Sequence, residues 1–416
     1  MAKKSVRDLP VRGRRTLIRA DFNVPLDSRQ SITDDRRIRL FLPTLRHVLD
    51  NNGRAILMSH LGRPSGDPEK DAAFSLKPVA RRIEELMERP CRFASGCVGP
   101  AVQSAIAELN DGEMLLLENL RFHTGETVID EAKKNPDGQL SPGQDALRKE
   151  FARGLAAHGE AYVNDAFGTC HRKHASMYDV PQLIPAGNRA VGFLVEKELE
   201  YLGKAVESPK RPFVAVLGGA KVSDKIGVIR NLLQRVDHIL IGGAMTYTFW
   251  EAQARCVGKS LCERDKLELA RELLAAGGDK LHLPVDSVAA AELRAGVESH
   301  VVDGELPPEL MGLDIGPRTL EQYGQYIWEA GTIVWNGPVG AFEIKPFDAA
   351  TVALAHLIAE ATDRGAVTVI GGGDSAAAIE QAGLADRVTH VSTGGGASLK
   401  FLEGKRFDAI EVLDEA

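Results

Sequence analysis

The sequence predicts an α/β fold in two lobes, each a parallel sheet covered by helices on both faces. Three observations predict it. Short apolar runs rich in Val, Ile and Leu alternate with longer amphipathic stretches, the pattern of strand–helix–strand units. The runs are almost continuously apolar, as strands buried on both faces are. The residues that follow the runs differ between the halves of the chain: polar and cationic in the first, glycine-rich in the second.

In chain order the predicted strands include residues 16–20, 55–58, 114–117, 213–217, 238–241, 332–335, 367–370 and 388–391, with a further run ending at Tyr162-Val163. Helical periodicity covers 76–87, 225–233, 265–276 and 351–361. Residues 135–143, Asn-Pro-Asp-Gly-Gln-Leu-Ser-Pro-Gly, read as an exposed loop. The best lobe boundary lies near 181–187, before a helical stretch at 191–205 with Glu196, Lys197, Glu198 and Glu200 on one face and Leu194, Leu199 and Leu202 on the other. A helix there either joins two lobes or lies inside one domain; composition leaves both open.

A length of 416 residues suggests two or three domains at roughly 150 residues each. The formal net charge is −7, which argues against a nucleic-acid binder and requires any anion site to be a local cluster of cations. No apolar run has the length of a signal peptide, and none approaches the ~20 residues of a membrane span, so a cytoplasmic protein is expected. Five cysteines with no C-x-x-C spacing are expected to be buried free thiols.

Ligands of open parallel sheets bind beyond the carboxyl ends of the strands. In the second half those ends read Gly218-Gly219-Ala220-Lys221, Gly242-Gly243-Ala244, Asn336-Gly337-Pro338, Gly371-Gly372-Gly373-Asp374-Ser375 and Ser392-Thr393-Gly394-Gly395-Gly396. One such turn needs only the conformational freedom of glycine. Several in one lobe suit close backbone approach to phosphates, with helix N–H groups as donors. Asp374 fits magnesium binding or helix N-capping equally. Gly258-Lys259-Ser260 fails as a Walker P-loop, because Gln253 stands where that motif needs glycine. Residues 371–376 do fit G-x-G-x-x-A, but the next strand ends in Ser392-Thr393-Gly394 without the acidic residue expected roughly 20 residues on. A nicotinamide-dependent dehydrogenase therefore stays only as an alternative, as does a non-enzymatic two-lobed anion-binding protein.

In the first half the strand ends read Asp21-Phe22-Asn23, Ser59-His60-Leu61-Gly62-Arg63-Pro64, Glu118 to His123 and Asn164 to Arg172. If these loops share a face, Arg37, His60, Arg63, Arg121, His171 and Arg172 converge on it. Guanidinium groups match phosphate or carboxylate two hydrogen bonds at a time. His123 and His174 read as surface or packing residues.

Residues 19–25 (Arg-Ala-Asp-Phe-Asn-Val-Pro), 59–64, 118–123, 164–172, 218–226, 242–249, 314–317, 335–343, 371–375 and 392–397 together resemble phosphoglycerate kinases, in order and over nearly the whole chain. That resemblance implies two Rossmann-like lobes joined by a hinge helix: a 3-phosphoglycerate-binding domain at 1–187, the hinge helix with a nucleotide-binding domain at 188–403, and a tail at 404–416 returning to the first domain. It implies reversible transfer of a phosphoryl group from 1,3-bisphosphoglycerate to ADP, with Mg2+ and ATP/ADP, in a monomer. Carried over by motif, Asp21, Phe22, Asn23, Arg37, His60, Leu61, Gly62, Arg63, Arg121 and Arg172 would hold the glycerate substrate. Arg37 is preferred to Arg36 because Arg-Ile-Arg at 37–39 matches the family's loop. Gly218, Gly219, Lys225, Gly242, Pro338, Glu343, Gly372, Gly373, Asp374 and Ser375 would hold the nucleotide, Asp374 also the metal. Arg37, Lys221, Gly372 and Gly395 would surround the migrating phosphoryl group. The chain departs from the family's usual residues at Cys170, Lys400, Phe193 and Val195, and its 135–143 loop looks long.

Overall fold

The computed structural model describes residues 2–135 and 138–416. The chain divides into two compact units, Met1–Glu198 with Arg406–Ala416, and Leu199–Lys405. The division falls inside the helix Phe193–Glu207, past the 181–187 stretch singled out from sequence.

In the first unit, strands β1 (Arg15–Ala20), β2 (Arg54–Met58), β3 (Cys91–Phe93), β4 (Met114–Leu116), β5 (Ala161–Asp165) and β6 (Arg189–Val191) form one sheet ordered β3-β4-β2-β1-β5-β6. Every pair is parallel. The apolar character of these runs is explained by their burial: five of six residues in β1 and all of β4 and β5 are buried. Helix Arg36–Asp50 lays Ile38, Phe41, Leu42, Leu45, Val48 and Leu49 into the core at helical spacing. Its first turn thereby carries Arg37 at the carboxyl edge of the sheet.

Helix Phe193–Glu207 is capped from β5. Asp165 Oδ1 accepts from the N–H groups of Leu194 at 2.9 Å and Val195 at 3.1 Å. A side chain on Gly192 would meet that carboxylate at 2.2 Å, which is why the chain can enter the helix so close to the strand end. The last residues of the chain close the first unit. Lys4 N–H donates to Asp414 O at 2.9 Å, Arg189 Nε to Asp414 Oδ1 at 3.1 Å and Asn164 Nδ2 to Ala409 O at 3.3 Å.

In the second unit, β7 (Phe213–Leu217), β8 (His238–Ile241), β9 (Leu281–His282), β13 (Thr332–Asn336), β14 (Val367–Gly371) and β15 (His390–Val391) form a parallel sheet ordered β15-β14-β13-β7-β8-β9. The order reverses between β7 and β13. That reversal is the topological switch point of a doubly wound sheet, where adjacent loops diverge and leave a crevice.

Between β9 and β13 the chain builds a separate antiparallel sheet, β11-β10-β12, from β10 (Asp286–Ala290), β11 (Ser299–Asp303) and β12 (Met311–Ile315). The sequence reading did not contain it. No residue of β11 is fully buried, so it shows no apolar run, and β10 is rich in alanine. The sheet packs on Tyr247, Trp250, Val257 and Leu306 through Ala289.

Two further expectations change. The loop read at 135–143 ends at Ser141, whose side chain accepts from Gln144 N–H while Gln144 Oε1 accepts from Ser141 N–H; this capping box starts helix Pro142–Ala156. Pro136 and Asp137 of that loop lie outside the described residues. All five cysteines are free, but only Cys91, Cys97 and Cys170 are buried; Cys256 is exposed and Cys262 half-buried. No helix among the described residues is long and apolar enough to cross a membrane.

Candidate functional site

The carboxyl ends of β7 and β13 meet through glycine. A Cβ on Gly218 would stand 2.0 Å from Pro338 O, and one on Gly337, whose φ is +97°, would stand 2.2 Å from Gly218 O. Gly242 is likewise closed by Val339, and Gly243 by Gly219. These glycines serve backbone contacts within the fold. Gly373 and Gly395 differ: a Cβ on either would meet nothing within 4 Å. Gly395 has φ +46° and Gly372 φ +93°, conformations that favour glycine by themselves. Gly373 has neither a close neighbour nor a positive φ to require it.

A cleft of about 720 Å³ opens at this switch point, lined by Gly218, Gly219, Ala220, Lys221, Lys225, Gly337 and Asp374 among others. Lys225 Nζ donates to Asn336 Oδ1. Burial pushes the Lys225 ammonium down to about 8, against the opposing pull of Asp224 and Asp374. Lys221 is exposed on the cleft wall. Asn336 itself was missed from sequence. Its Nδ2 is buried with no partner, a donor whose desolvation is uncompensated. Its place at the strand end, one residue before a glycine, was the available signal.

Helix Gly373–Gln381 begins in the same cleft with Gly372 as its N-cap. Asp374 therefore does not cap the helix; it is exposed in the first turn. Ser375 is buried, and its hydroxyl accepts from Gly337 N–H at 2.5 Å. Its side chain ties the helix to the end of β13. Pro338 is buried with its carbonyl against Gly218 and Gly243, and Glu343 is exposed. No group of three or more His, Cys, Asp or Glu among the described residues is arranged as a metal cage. A single carboxylate such as Asp374 suits Mg2+ delivered on nucleotide phosphates, since Mg2+ keeps waters and takes one or two carboxylates.

The first unit gathers its cations beyond β1, β2, β4 and β5. Arg37 Nη1 donates to Asp21 Oδ1 at 2.9 Å. Gly62 N–H donates to Asn23 Oδ1 at 2.8 Å, and Arg121 Nη1 to Gly62 O at 2.6 Å. Arg172 pairs with Asp130 at 2.7 Å. Arg63 is exposed. Crowding shows in the acid–base behaviour: burial, with Arg19 and Arg172 nearby, pushes Arg121 down to about 10. Burial and the charges of Arg19, Arg121, His174 and Arg37 hold His60 well below the usual histidine range.

Two residues assigned to this site by motif are committed elsewhere. Phe22 is buried edge-on against Phe41; its N–H donates to Ser59 Oγ and its C=O accepts from Val24 N–H. Leu61 is buried, with both backbone polar groups held by Asn119. Neither has a free backbone N–H for a ligand. His174, read as surface or packing, is fully buried: Nε2 lies 3.1 Å from Asp130 Oδ2 and Nδ1 3.9 Å from Glu126. His123 stacks on Phe151 at 4.7 Å. Arg19 and Glu126 were missed. Both are fully buried, and an arginine inside an apolar strand run was the signal for the first.

Two doubly wound sheets, one with a glycine-lined cationic cleft and the other with arginines at its strand ends, define a two-domain α/β phosphotransferase. Comparison with known proteins names the particular family. The phosphoglycerate kinase family model matches residues 6–405. The phosphoglycerate kinase of Rhodopirellula baltica is 53% identical, and that of Chlorobium phaeobacteroides 49%, each over the full length of both chains. The phosphoglycerate kinase structure from Coxiella burnetii superposes with a TM-score of 0.84 at 36% identity, covering 99% of this chain and 98% of that one. The one from Pyrococcus horikoshii does so with 0.80 at 29%, with the same coverage. The chain belongs to the phosphoglycerate kinase family and is a kinase of glycolysis. Membership favours neither the dehydrogenase nor the anion-binding alternative.

Proposed function

We propose that the second unit binds ADP or ATP in the cleft between β7 and β13, that the first binds 1,3-bisphosphoglycerate or 3-phosphoglycerate among Arg37, Arg63, Arg121 and Arg172, and that a phosphoryl group passes directly between them after domain closure. The observation that carries this reading is the cleft itself: two lysines and the unpartnered Nδ2 of Asn336 stand at a switch point next to Gly373, a glycine the fold does not require.

An oxygen of the ADP β-phosphate attacks the acyl-phosphate phosphorus in line. The new P–O bond forms as the bond to the carboxylate oxygen breaks, and the carboxylate leaves with the electron pair. A carboxylate is ionised near neutral pH, so no proton transfer is needed. What the protein must supply is position and positive charge. Lys221 and Arg37 would meet the charge on the migrating group; Lys225 would hold nucleotide phosphates, with backbone N–H groups near Gly372, Gly373 and Gly395. Pro338 and Glu343 would border adenine and ribose. Asp21 orients Arg37, and Asn23 orients the Gly62 loop. Mg2+ bound at Asp374 would neutralise phosphate charge. Domain closure also excludes water, which limits wasteful hydrolysis. We further propose a cytoplasmic monomer that engages neither nucleic acid nor membrane.

A coupled assay should show ATP forming from 1,3-bisphosphoglycerate and ADP. No ATP, together with saturable NADH fluorescence enhancement, would establish the dehydrogenase alternative instead.

A further inference from the structure

We propose that Arg19 is a positioning residue that fixes His60 as the neutral tautomer protonated on Nε2, so that His60 presents a hydrogen-bond donor and no charge to the anion bound beside it.

Arg19 is fully buried in β1, one residue before the strand ends. Its guanidinium donates through Nε to Ser176 Oγ at 2.9 Å and through Nη1 to Ala20 O, and Nη2 lies 3.2 Å from His60 Nδ1. A guanidinium carries only donors and does not lose its proton in proteins. The imidazole nitrogen facing it must therefore accept, so Nδ1 carries no proton. The ring proton is then on Nε2.

His60 Nε2 lies 4.0 Å from Asp21 Oδ1, beyond hydrogen-bond reach, and no described residue accepts from it. Its N–H is thus available beside the Asp21–Arg37 pair. A second proton on the ring is opposed by burial and by the cations around it. His60 is 2% exposed. The groups that face it are the cations Arg19, Arg37 and Arg121 and the imidazole of His174, with Asp21 as the one opposing carboxylate.

Glu126 keeps Arg19 where it is. It lies 4.0 Å from Arg19 Nη2 and accepts from Ser176 N–H at 2.9 Å and Ser176 Oγ at 2.7 Å, with all three residues buried. The network explains why a buried strand carries an arginine. It has a functional consequence as well. A charged His60 would titrate across physiological pH and make anion binding pH-dependent; a neutral donor does not.

The role of the donor rests on the glycerate assignment above, whereas the tautomer is a property of the free protein. The test reads the tautomer first. Enzyme labelled with 15N at histidine is followed by two-dimensional NMR from about pH 8 to about pH 5, with His60→Gln used to assign the signal. The expected spectrum has a pyridine-like Nδ1 and a pyrrole-like Nε2 for His60, unchanged across that range. A proton on Nδ1, or an imidazolium anywhere in that range, overturns the proposal. Arg19→Lys, which still donates, should keep the tautomer. Arg19→Met should release it and raise KM for 3-phosphoglycerate by about tenfold or more, with kcat less affected, the scale of one misplaced hydrogen bond to an ion. A folded Arg19→Met enzyme with the wild-type His60 spectrum also overturns it. If Arg19→Met does not fold, the spectrum of the intact enzyme decides alone. If the intact enzyme shows the expected tautomer and folded Arg19→Met loses it while KM is unchanged, the glycerate assignment at His60 is refuted and the tautomer stands.

Discussion

Arg37 in the first turn of helix Arg36–Asp50 donates to Asp21, the residue immediately after β1, at 2.9 Å. The pair is partly open to solvent: 39% of the Arg37 side chain and 10% of that of Asp21 are exposed. Such pairs contribute about 0–1 kcal/mol to stability. The contact therefore orients the guanidinium more than it holds the fold.

Arg37→Ala should leave the melting temperature nearly unchanged and lower turnover by about 100-fold or more, the scale of losing one charge-stabilising donor in a transition state. Steady-state assays in both directions check this. Near-normal turnover in a purified variant removes Arg37 from the proposed chemistry.

Lys225→Ala should mainly weaken Mg-ADP binding, read by titration calorimetry. The wild type adds a pH signature. Free Lys225 sits at about 8, so its charge is lost as pH rises through that value. Nucleotide phosphates favour the charged form and pull the proton back. ADP binding should therefore take up protons above pH 8 and none at this residue below about pH 7. Calorimetry in two buffers of different ionisation enthalpy measures the uptake, and Lys225→Ala should abolish it.

Gly218→Ala and Gly373→Ala should separate the two uses of glycine in the cleft. The first places a methyl 2.0 Å from Pro338 O and should cost about 2 kcal/mol or more. The second meets open space and should change stability by less than about 0.5 kcal/mol. If phosphate approaches the backbone at Gly373, the second variant should still lose about tenfold or more in ADP affinity. Denaturant melts paired with ADP titrations read both; an unaffected affinity in Gly373→Ala moves the phosphates elsewhere.

Asp314, at the end of β12, is buried beside Gly340, where a Cβ would meet it at 2.1 Å. It accepts from Ala350 N–H and Ile315 N–H at 2.9 Å each. Burial pushes its carboxyl up to about 8, against those two hydrogen bonds. The folded state then holds a proton that the unfolded chain releases near pH 4. Stability from this group is complete below that value and is lost as pH rises through 8. Asp314→Asn should flatten the fall in melting temperature between about pH 4 and 8. A variant with the wild-type slope refutes the shifted group.

Much of the fold was legible because its signals are local. The runs at 213–217 and 238–241 match the observed strands residue for residue, and helix 76–87 differs from the observed one by a single residue. The glycine ends of β7 and β13 were legible for the same reason. The antiparallel β10–β12 sheet was not. Its strands draw their stability from pairing with one another and from Trp250 and Tyr247, which no short window contains.

The sequence by itself determined the order of parallel strands and helices, the chemistry at each strand end and the family, because each resides in contiguous residues. Only the tertiary structure decided how those residues are used. Phe22 and Leu61 sit in motifs beside Asn23 and Gly62, yet their backbone N–H groups are taken by Ser59 and Asn119. Arg19 reads as one more cation, yet burial turns it into a fixed donor for His60. Burial and hydrogen-bond partners come from residues far apart in the chain, and they set both the charge of a side chain and the direction it faces.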